Sequence, residues 1–341
     1  MARYHDRKHT LQMPGLFDSL DNDFQVIPPK KMKQAIASLA AVEPAPVIDD
    51  MPPVNPDDDI YFMSFGSGSS GNCSYLGDRS CGFLIDAGVE SDFVVRTLLA
   101  NGVDMSAVRG IILTHDHSDH MKNIYQIVRK YRHIPIYCTP KAFNGILRRH
   151  SISRRIKDYH KPIYKEFPFQ IGNFEITAFD VSHDGTDNAG FFITHGNKAV
   201  AIATDLGTIT DRVDFYMRKA QFIVIEANYD ATMLRLGRYP EYLKARIEAD
   251  NGHLDNAVTA RFLSEIYSPS LRAVLLCHLS HDNNTPEKAL AAVSEALKTA
   301  GVTAFSDGVS TLTAEDKGLI LAALPRYDAS PLFTFKTAKS L

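Results

Sequence analysis

Between Ile60 and about Pro325, short apolar runs rich in β-branched residues alternate with stretches whose apolar positions recur every three to four residues. The first pattern predicts buried strands and the second predicts helices packed by one face. Strands are expected at Ile60–Phe65, Gly82–Asp86, Gly110–Thr114, Pro135–Cys138, Phe174–Val181, Gly190–Thr194, Ala199–Thr204, Phe222–Glu226 and Ala273–Cys277. Helices are expected at Asp92–Ala100, Asp119–Tyr131, Pro240–Ala249, Asn256–Ile266 and Pro286–Thr299. Such alternation describes a layered α/β domain over residues 60–325, with a short tail at 326–341. Five strands run straight into a polar residue: Asp86, Thr114, Asp205, Glu226 and His278. Strand ends in a layered fold are where a rigid sheet presents functional groups.

Residues 1–59 follow another rule. From Glu43 to Asp59 there are six acids, five prolines and no Lys or Arg, a composition that cannot bury a core and reads as a linker. Upstream, Lys31–Ala41 is expected to form one short helix. Gln12 to Phe17 is a small apolar island, faintly similar to peptides that dock on the replication sliding clamp, and marks a possible protein-partner segment in a flexible extension.

Composition excludes several classes. The 341 residues carry a formal charge of -3, with 45% hydrophobic and 23% charged positions. No apolar run approaches the ~18 residues that cross a bilayer, so no membrane role is expected. The first thirty residues have no apolar core of a secretory signal. Four scattered cysteines (Cys73, Cys81, Cys138, Cys277) form neither a CxxC pair nor a disulfide framework, which suits a reduced, cytoplasmic protein.

The chemistry is concentrated in Thr114-His115-Asp116-His117-Ser118-Asp119-His120, between a strand and a helix. Neutral imidazoles and carboxylates are ligands for Zn²⁺ and similar divalent ions. Residues two apart in an extended loop point the same way, so His115 and His117 can chelate one ion, while Asp119 and His120 can face a second. The flanking strand and helix would hold the loop rigid.

The spacing His-x-His-x-Asp-His after a strand resembles the signature of the metallo-β-lactamase fold, which implies a four-layer αβ/βα sandwich. The resemblance continues in order: His183 in Val181-Ser-His-Asp184, Asp205 in Thr204-Asp-Leu206, and His278 in Cys277-His-Leu-Ser280. It implies that His115, His117 and His183 take one metal ion. Asp119, His120 and His278 take the second, and Asp205 bridges both. Asp86 matches an early Asp of the family, expected to orient the ligands. Asn123 stands where the family often has Gly, on the expected helix.

Further segments narrow the resemblance. Ser67-Gly-Ser-Ser-Gly-Asn72, Glu226-Ala-Asn-Tyr-Asp230 and Gly252-His-Leu-Asp-Asn256 are similar, over about residues 60–285, to the YycJ/WalJ group of bacterial metallohydrolases. Tyr229 and Asp255 depart from the His and Ser expected there. The resemblance implies a 5′-to-3′ exonuclease of double-stranded DNA using two divalent ions, Zn²⁺ or Mn²⁺. Asp119 would also steer the nucleophile and His253 would protonate the leaving oxygen. Ser67, Ser69, Ser70, Asn72 and Asn228 are candidate substrate contacts.

The residues add their own support for nucleic acid. From Lys122 to Lys165 there are twelve Lys or Arg against one acid, Asp158. Arg148, Arg149, Arg154 and Arg155 are the densest part, suited to salt-dependent phosphate contacts. Other readings are a phosphodiesterase of RNA ends or small molecules, a hydrolase of lactones or thioesters, and a non-catalytic nucleic-acid-binding scaffold. The filled ligand positions oppose the last.

Overall fold

The computed structural model describes residues 59–302, 305–306, 311–312 and 318–335. The expected Lys31–Ala41 helix and the Gln12–Phe17 segment lie outside them. All described residues belong to one compact unit, Pro53–Leu341.

Most of the longer strands alternate in burial or are buried throughout, as sheets covered on both faces require. The first six are β1 (Ile60–Gly66), β2 (Cys73–Gly77), β3 (Gly82–Ile85), β4 (Val108–Ile112), β5 (Ile136–Cys138) and β6 (His160–Pro162). The next six are β7 (Phe169–Ile171), β8 (Phe174–Asp180), β9 (Ala189–His195), β10 (Lys198–Ala203), β11 (Phe222–Glu226) and β12 (Ala273–Cys277). Four short strands follow: β13 (Phe305–Ser306), β14 (Thr311–Leu312), β15 (Leu319–Ala323) and β16 (Phe333–Phe335). One sheet runs β14-β16-β1-β2-β3-β4-β5-β6, and the other β13-β15-β12-β11-β10-β9-β8-β7.

Two parallel registers position the chemistry. β3 lies parallel to β4, so Asp86 and Thr114 leave the first sheet side by side. β10, β11 and β12 are mutually parallel, so Asp205, Glu226 and His278 leave the second sheet together.

The helices are α1 (Ser91–Ala100), α2 (Ser118–Met121), α3 (Ile124–Lys130), α4 (Pro140–Arg149), α5 (Asp211–Met217), α6 (Ala231–Leu236), α7 (Glu241–Glu248), α8 (Asn256–Ile266) and α9 (Pro286–Thr299). Their starts are written locally. Thr139 and Thr285 cap α4 and α9 through their hydroxyls, each followed by Pro at the first turn, where the missing N–H costs nothing. Helix α9 buries Ala289, Val293 and Leu297, a four-residue stripe against the second sheet. Helices α1, α3 and α4 cover the outer face of the first sheet through Val94, Leu98, Ile127, Phe143 and Ile146. Between the sheets, Phe62, Phe83, Phe174, Phe191, Phe222 and Phe335 fill the middle layer. At roughly 1.5–3 kcal/mol per buried large apolar side chain, this layer dominates cohesion. The order of layers is helix, sheet, sheet, helix.

Two expectations change, and one helix was not expected. The single helix at Asp119–Tyr131 is two helices, broken at Lys122 and Asn123, where the Asn123 amide donates to the Gly88 and Val89 carbonyls. The tail beyond residue 325 is not outside the domain: Phe333–Phe335 pairs antiparallel with β1 and places Phe335 in the core. Helix α4 escapes the apolar pattern because its buried stripe of Ala142, Phe143 and Ile146 is interrupted by Lys141 and Arg148.

Candidate metal centre

The first wall of the site grows from the ends of β3 and β4. Asp86 is buried with a left-handed backbone (φ 62°), a conformation that costs a non-glycine residue about 1–3 kcal/mol unless its surroundings fix it. Here they do. Its Oδ1 accepts from the Thr114 N–H at 2.8 Å, and its Oδ2 accepts from His120 Nδ1 at 2.7 Å. The Thr114 hydroxyl reaches Asp86 and lies 3.0 Å from His115 Nδ1. Gly88 lets the chain pass directly beneath the ligand loop, since a Cβ there would sit 1.5 Å from the Asp119 carbonyl oxygen. Asp116, the residue between the two loop histidines, faces away and braces the loop: it accepts from the Thr186 N–H at 2.8 Å and packs against Gly145 of α4.

The second wall is the row of strand ends. His278 has a left-handed backbone (φ 53°), and its N–H donates to the Ser67 hydroxyl at 2.8 Å. Its Nδ1 lies 2.7 Å from Glu226 Oε1 and 2.9 Å from Asp205 Oδ1. Asp205 Oδ2 lies 3.1 Å from His120 Nε2, so this carboxylate stands between the two walls. His183 arrives from the segment after β8, with Nδ1 donating to the Gly252 carbonyl at 3.0 Å and Nε2 3.3 Å from His117 Nδ1.

This network assigns the tautomers. His115, His120, His183 and His278 each have Nδ1 tied to protein, which turns Nε2 inward toward the shared cluster. His115 Nε2 and His278 Nε2 are buried and have no hydrogen-bond partner among the described residues. A buried imidazole nitrogen without a partner is costly, and a divalent cation would satisfy it. Ligand atoms fall within 4.8 Å of one another in four overlapping groups: His115, His117 and His183; His115, His120 and Asp205; Asp119, His120 and His278; and Asp205, Glu226, His253 and His278. The residues present fit divalent metal binding.

The electrostatics point the same way. Burial opposes charge on His120, yet Asp205 and Asp86 outweigh it and hold the imidazole well above its usual range. Burial likewise opposes charge on His278, but Asp205 and Glu226 lift it to about 10. Burial pushes Asp205 up, and His278 and His120 more than reverse this, leaving it well below the carboxylate range. Burial and the neighbouring His120 depress His115. The carboxylates thus demand positive charge at the centre of the cluster.

An open cavity of about 380 Å³ lies over the cluster, with Ser69, Arg149, His150, Arg246 and His253 on its rim. His253 is half-turned to this space, with Nδ1 donating to Glu226 Oε1 at 2.8 Å. Arg246 is held by Asp184, whose Oδ1 is 3.3 Å from His117 Nε2.

Several expected substrate contacts do other work. Ser67 is buried and holds the His278 backbone, so it does not face a substrate. Asn72 is buried, with Oδ1 accepting from the Gly68 N–H and Nδ2 3.2 Å from Asp119 Oδ2, so it braces an expected metal ligand. Ser70 is exposed and offers its carbonyl to Lys122 on the far side of the loop. Asn228 is buried, and its amide donates to the His278 carbonyl at 2.7 Å. Of the four arginines, Arg149 lines the cavity; Arg148, Arg154 and Arg155 are exposed but outside its lining. The two departures also find structural work: Asp255 caps α8, and Tyr229 is buried with Leu234 and Ile247.

Glu226, Asp184 and Arg246 received no role from the sequence. Glu226 is fully buried. It holds His253 and His278 and accepts from the Leu206 and Leu254 N–H groups. Burial pushes its carboxyl up, but His253 and His278 outweigh that and keep it below its ordinary range. Its signal was present, because it ends the strand between those that end in Asp205 and His278.

Comparison with known proteins agrees with this geometry. The family model for the beta-lactamase superfamily domain matches residues 82–279. The exodeoxyribonuclease YycJ of Bacillus anthracis is 33% identical over 248 residues, covering 71% of this chain and 90% of that protein. The exodeoxyribonuclease WalJ of Streptococcus pneumoniae is 30% identical over 229 residues, 67% of this chain and 84% of that one. The crystal structure of the metallo-beta-lactamase fold protein YhfI from Bacillus subtilis matches with a TM-score of 0.55 at 17% identity, covering 80% of this chain and 99% of that chain, a likeness of fold alone. Among the described residues no helix is long and apolar enough to cross a membrane. Sheet order, ligand cluster and family match together place the chain in the β-lactamase superfamily, as a metallohydrolase of the metallo-β-lactamase fold resembling the YycJ/WalJ group.

Proposed function

We propose that this metallohydrolase is a nuclease, a 5′-to-3′ exonuclease of double-stranded DNA that works with two divalent ions, Zn²⁺ or Mn²⁺. The carrying observation is the convergence of seven imidazole and carboxylate ligands under an open cavity rimmed by Arg149 and Arg246. The names of the YycJ and WalJ relatives support a DNA substrate. The buried free thiols of all four cysteines suit a reducing, cytoplasmic setting.

His115, His117 and His183 would hold one ion and Asp119, His120 and His278 the other, with Asp205 shared. Divalent ions held there would lower the pKa of a water and neutralise charge building on a phosphoryl group. The protein's own groups supply the rest. Asp119 orients the attacking water through its free oxygen. Arg149 and Arg246 hold the non-bridging oxygens, where Arg matches phosphate geometry. His253, oriented by Glu226, delivers the proton to the departing 3′-oxygen. Arg148, Arg154 and Arg155, further along the same basic segment, hold the duplex by its backbone.

Metal analysis coupled to an end-labelled assay tests this reading. The expected result is about two Zn or Mn per chain and release of label from the 5′ end of duplex DNA. Faster turnover of RNA ends or of bis-p-nitrophenyl phosphate would move the reading to another phosphodiester. A metal-loaded protein inert toward all of them would sink it.

A further inference from the structure

A second cavity of about 190 Å³ adjoins the metal centre, and its character is different. The larger cavity is lined by charged and polar side chains alone. The smaller has one apolar wall made by Tyr239, Leu243 and Ile247, faced by Asp184 and Arg246, and it shares Arg246, His253 and His278 with the metal side. Tyr239 is fixed in place: its hydroxyl donates to Asp282 at 2.7 Å, and its ring packs with Leu243 against buried Tyr229, Leu234 and Ile247. The wall is therefore a supported aromatic and aliphatic surface.

We propose that this cavity is a nucleoside subsite that receives the terminal sugar and base of the strand while its phosphodiester lies over the metal ligands. The assignment rests on the nuclease reading and deepens it. Three features define the occupant. The cavity opens beside His278 and His253, so whatever fills it is joined directly to the group being hydrolysed. At about 190 Å³ it is smaller than the ~300–1,000 Å³ of pockets for drug-sized ligands, so it admits one nucleoside and excludes a base pair. Its main surface is a tyrosine ring beside aliphatic carbon, which stacks on any base because every base has a π face. Binding there uncouples recognition of the strand end from sequence. It also places the departing oxygen next to His253, since the leaving nucleoside is the one held. Cleavage one residue at a time follows from a pocket with room for one residue.

Calorimetric titration of the metal-loaded, full-length protein with inorganic phosphate and with deoxythymidine 3′-monophosphate, whose phosphate sits on the oxygen that departs in the proposed cleavage, tests the subsite without requiring turnover. Both ligands offer a phosphate, but only the nucleotide can fill the smaller cavity. The wild type should bind the nucleotide at least about tenfold more tightly than phosphate. Leu243→Trp, which fills the cavity, should reduce that preference to about twofold or less, while Tyr239→Phe, which keeps the ring, should retain most of it. Equal affinities in the wild type, or a preference untouched by Leu243→Trp, would overturn the subsite. Cleavage of labelled duplex DNA by the same preparation reports separately on the nuclease reading: a protein that degrades DNA yet shows no nucleotide preference loses the subsite alone, and one that binds the nucleotide but leaves DNA intact loses the exonuclease activity alone.

Discussion

Two buried His–Asp constellations occupy opposite ends of the sandwich. At the metal end, six histidines and three carboxylates converge under an open cavity, with inward nitrogens on His115 and His278 that have no hydrogen-bond partner among the described residues. At the other end, the β2–β3 turn meets the β9–β10 hairpin through Asp78 and His195, both nearly fully buried and 3.1 Å apart. There the carboxylate is saturated. Asp78 accepts from the Ser80 N–H and hydroxyl, the Cys81 N–H, the Asn173 amide and His195. The contrast shows what separates a staple from a reactive centre. Burial, a His–Asp pair and an unpartnered imidazole nitrogen (His195 Nδ1 at the staple) are common to both; the convergence of several such groups on a shared point is found at the metal end. The first arrangement gives up stability for chemistry, and the second fastens two sheets.

The sharpest way to break this comparison is to exchange the consequences of mutation. Asp119→Ala or His115→Ala should lower hydrolysis at least about 10³-fold while largely sparing DNA affinity. Wild-type rates from metal-repleted variant protein would remove these residues from the centre. Asp78→Ala should do the reverse, lowering stability by about 3–5 kcal/mol in a urea or thermal unfolding curve, with near-normal activity per folded molecule. Its pH dependence has a defined sign. Burial alone would raise the Asp78 carboxyl, but His195 and Asn173 hold it well below the ordinary range, so its contribution is fully present above the unfolded value of about 3.9. The stability gap between wild type and Asp78→Asn should therefore be constant near neutrality and shrink as pH falls below about 4. A gap that widened in acid would contradict the staple.

Smaller effects sharpen the boundary. Glu226→Gln leaves every expected ligand in place but weakens the hold on His253 and His278, so metal affinity or activity should fall about 10–100-fold. Metal loading should also release protons, because His120 and His278 are held protonated by their carboxylates, His278 up to about 10. Affinity should rise with pH across neutrality; a pH-independent binding isotherm would deny that competition. Replacing Arg148, Arg149, Arg154 and Arg155 by Ala should weaken DNA binding by about tenfold and flatten its salt dependence, whereas an unchanged slope would leave that segment as ordinary solvated surface.

Legibility in the sequence followed local geometry. The His115–His120 loop could be read because its ligands are contiguous and flanked by recognisable elements. Asp205 and His278 were readable as polar residues closing apolar runs. Glu226 closes a run in the same way, but its role depends on the parallel register of β10, β11 and β12, a long-range fact. Ser67 and Asn72 lie in the right loop and face inward, a distinction that small-residue composition cannot make. The strands β13 and β14 are two residues long, too short for any periodicity to register. Arg246 belongs to a helix that was expected, yet nothing local aims it at Asp184.

The pairing of β16 with β1 has a temporal consequence. The open edge of β1 is covered only by β16, the last of the described strands, so β1 waits while every other described strand is made. Every expected metal ligand has by then emerged. Closing such a distant contact is slow, and an uncovered strand edge invites pairing with other chains. A vulnerable interval therefore precedes that pairing, in which the strands that carry every expected ligand belong to a sandwich still missing its seam.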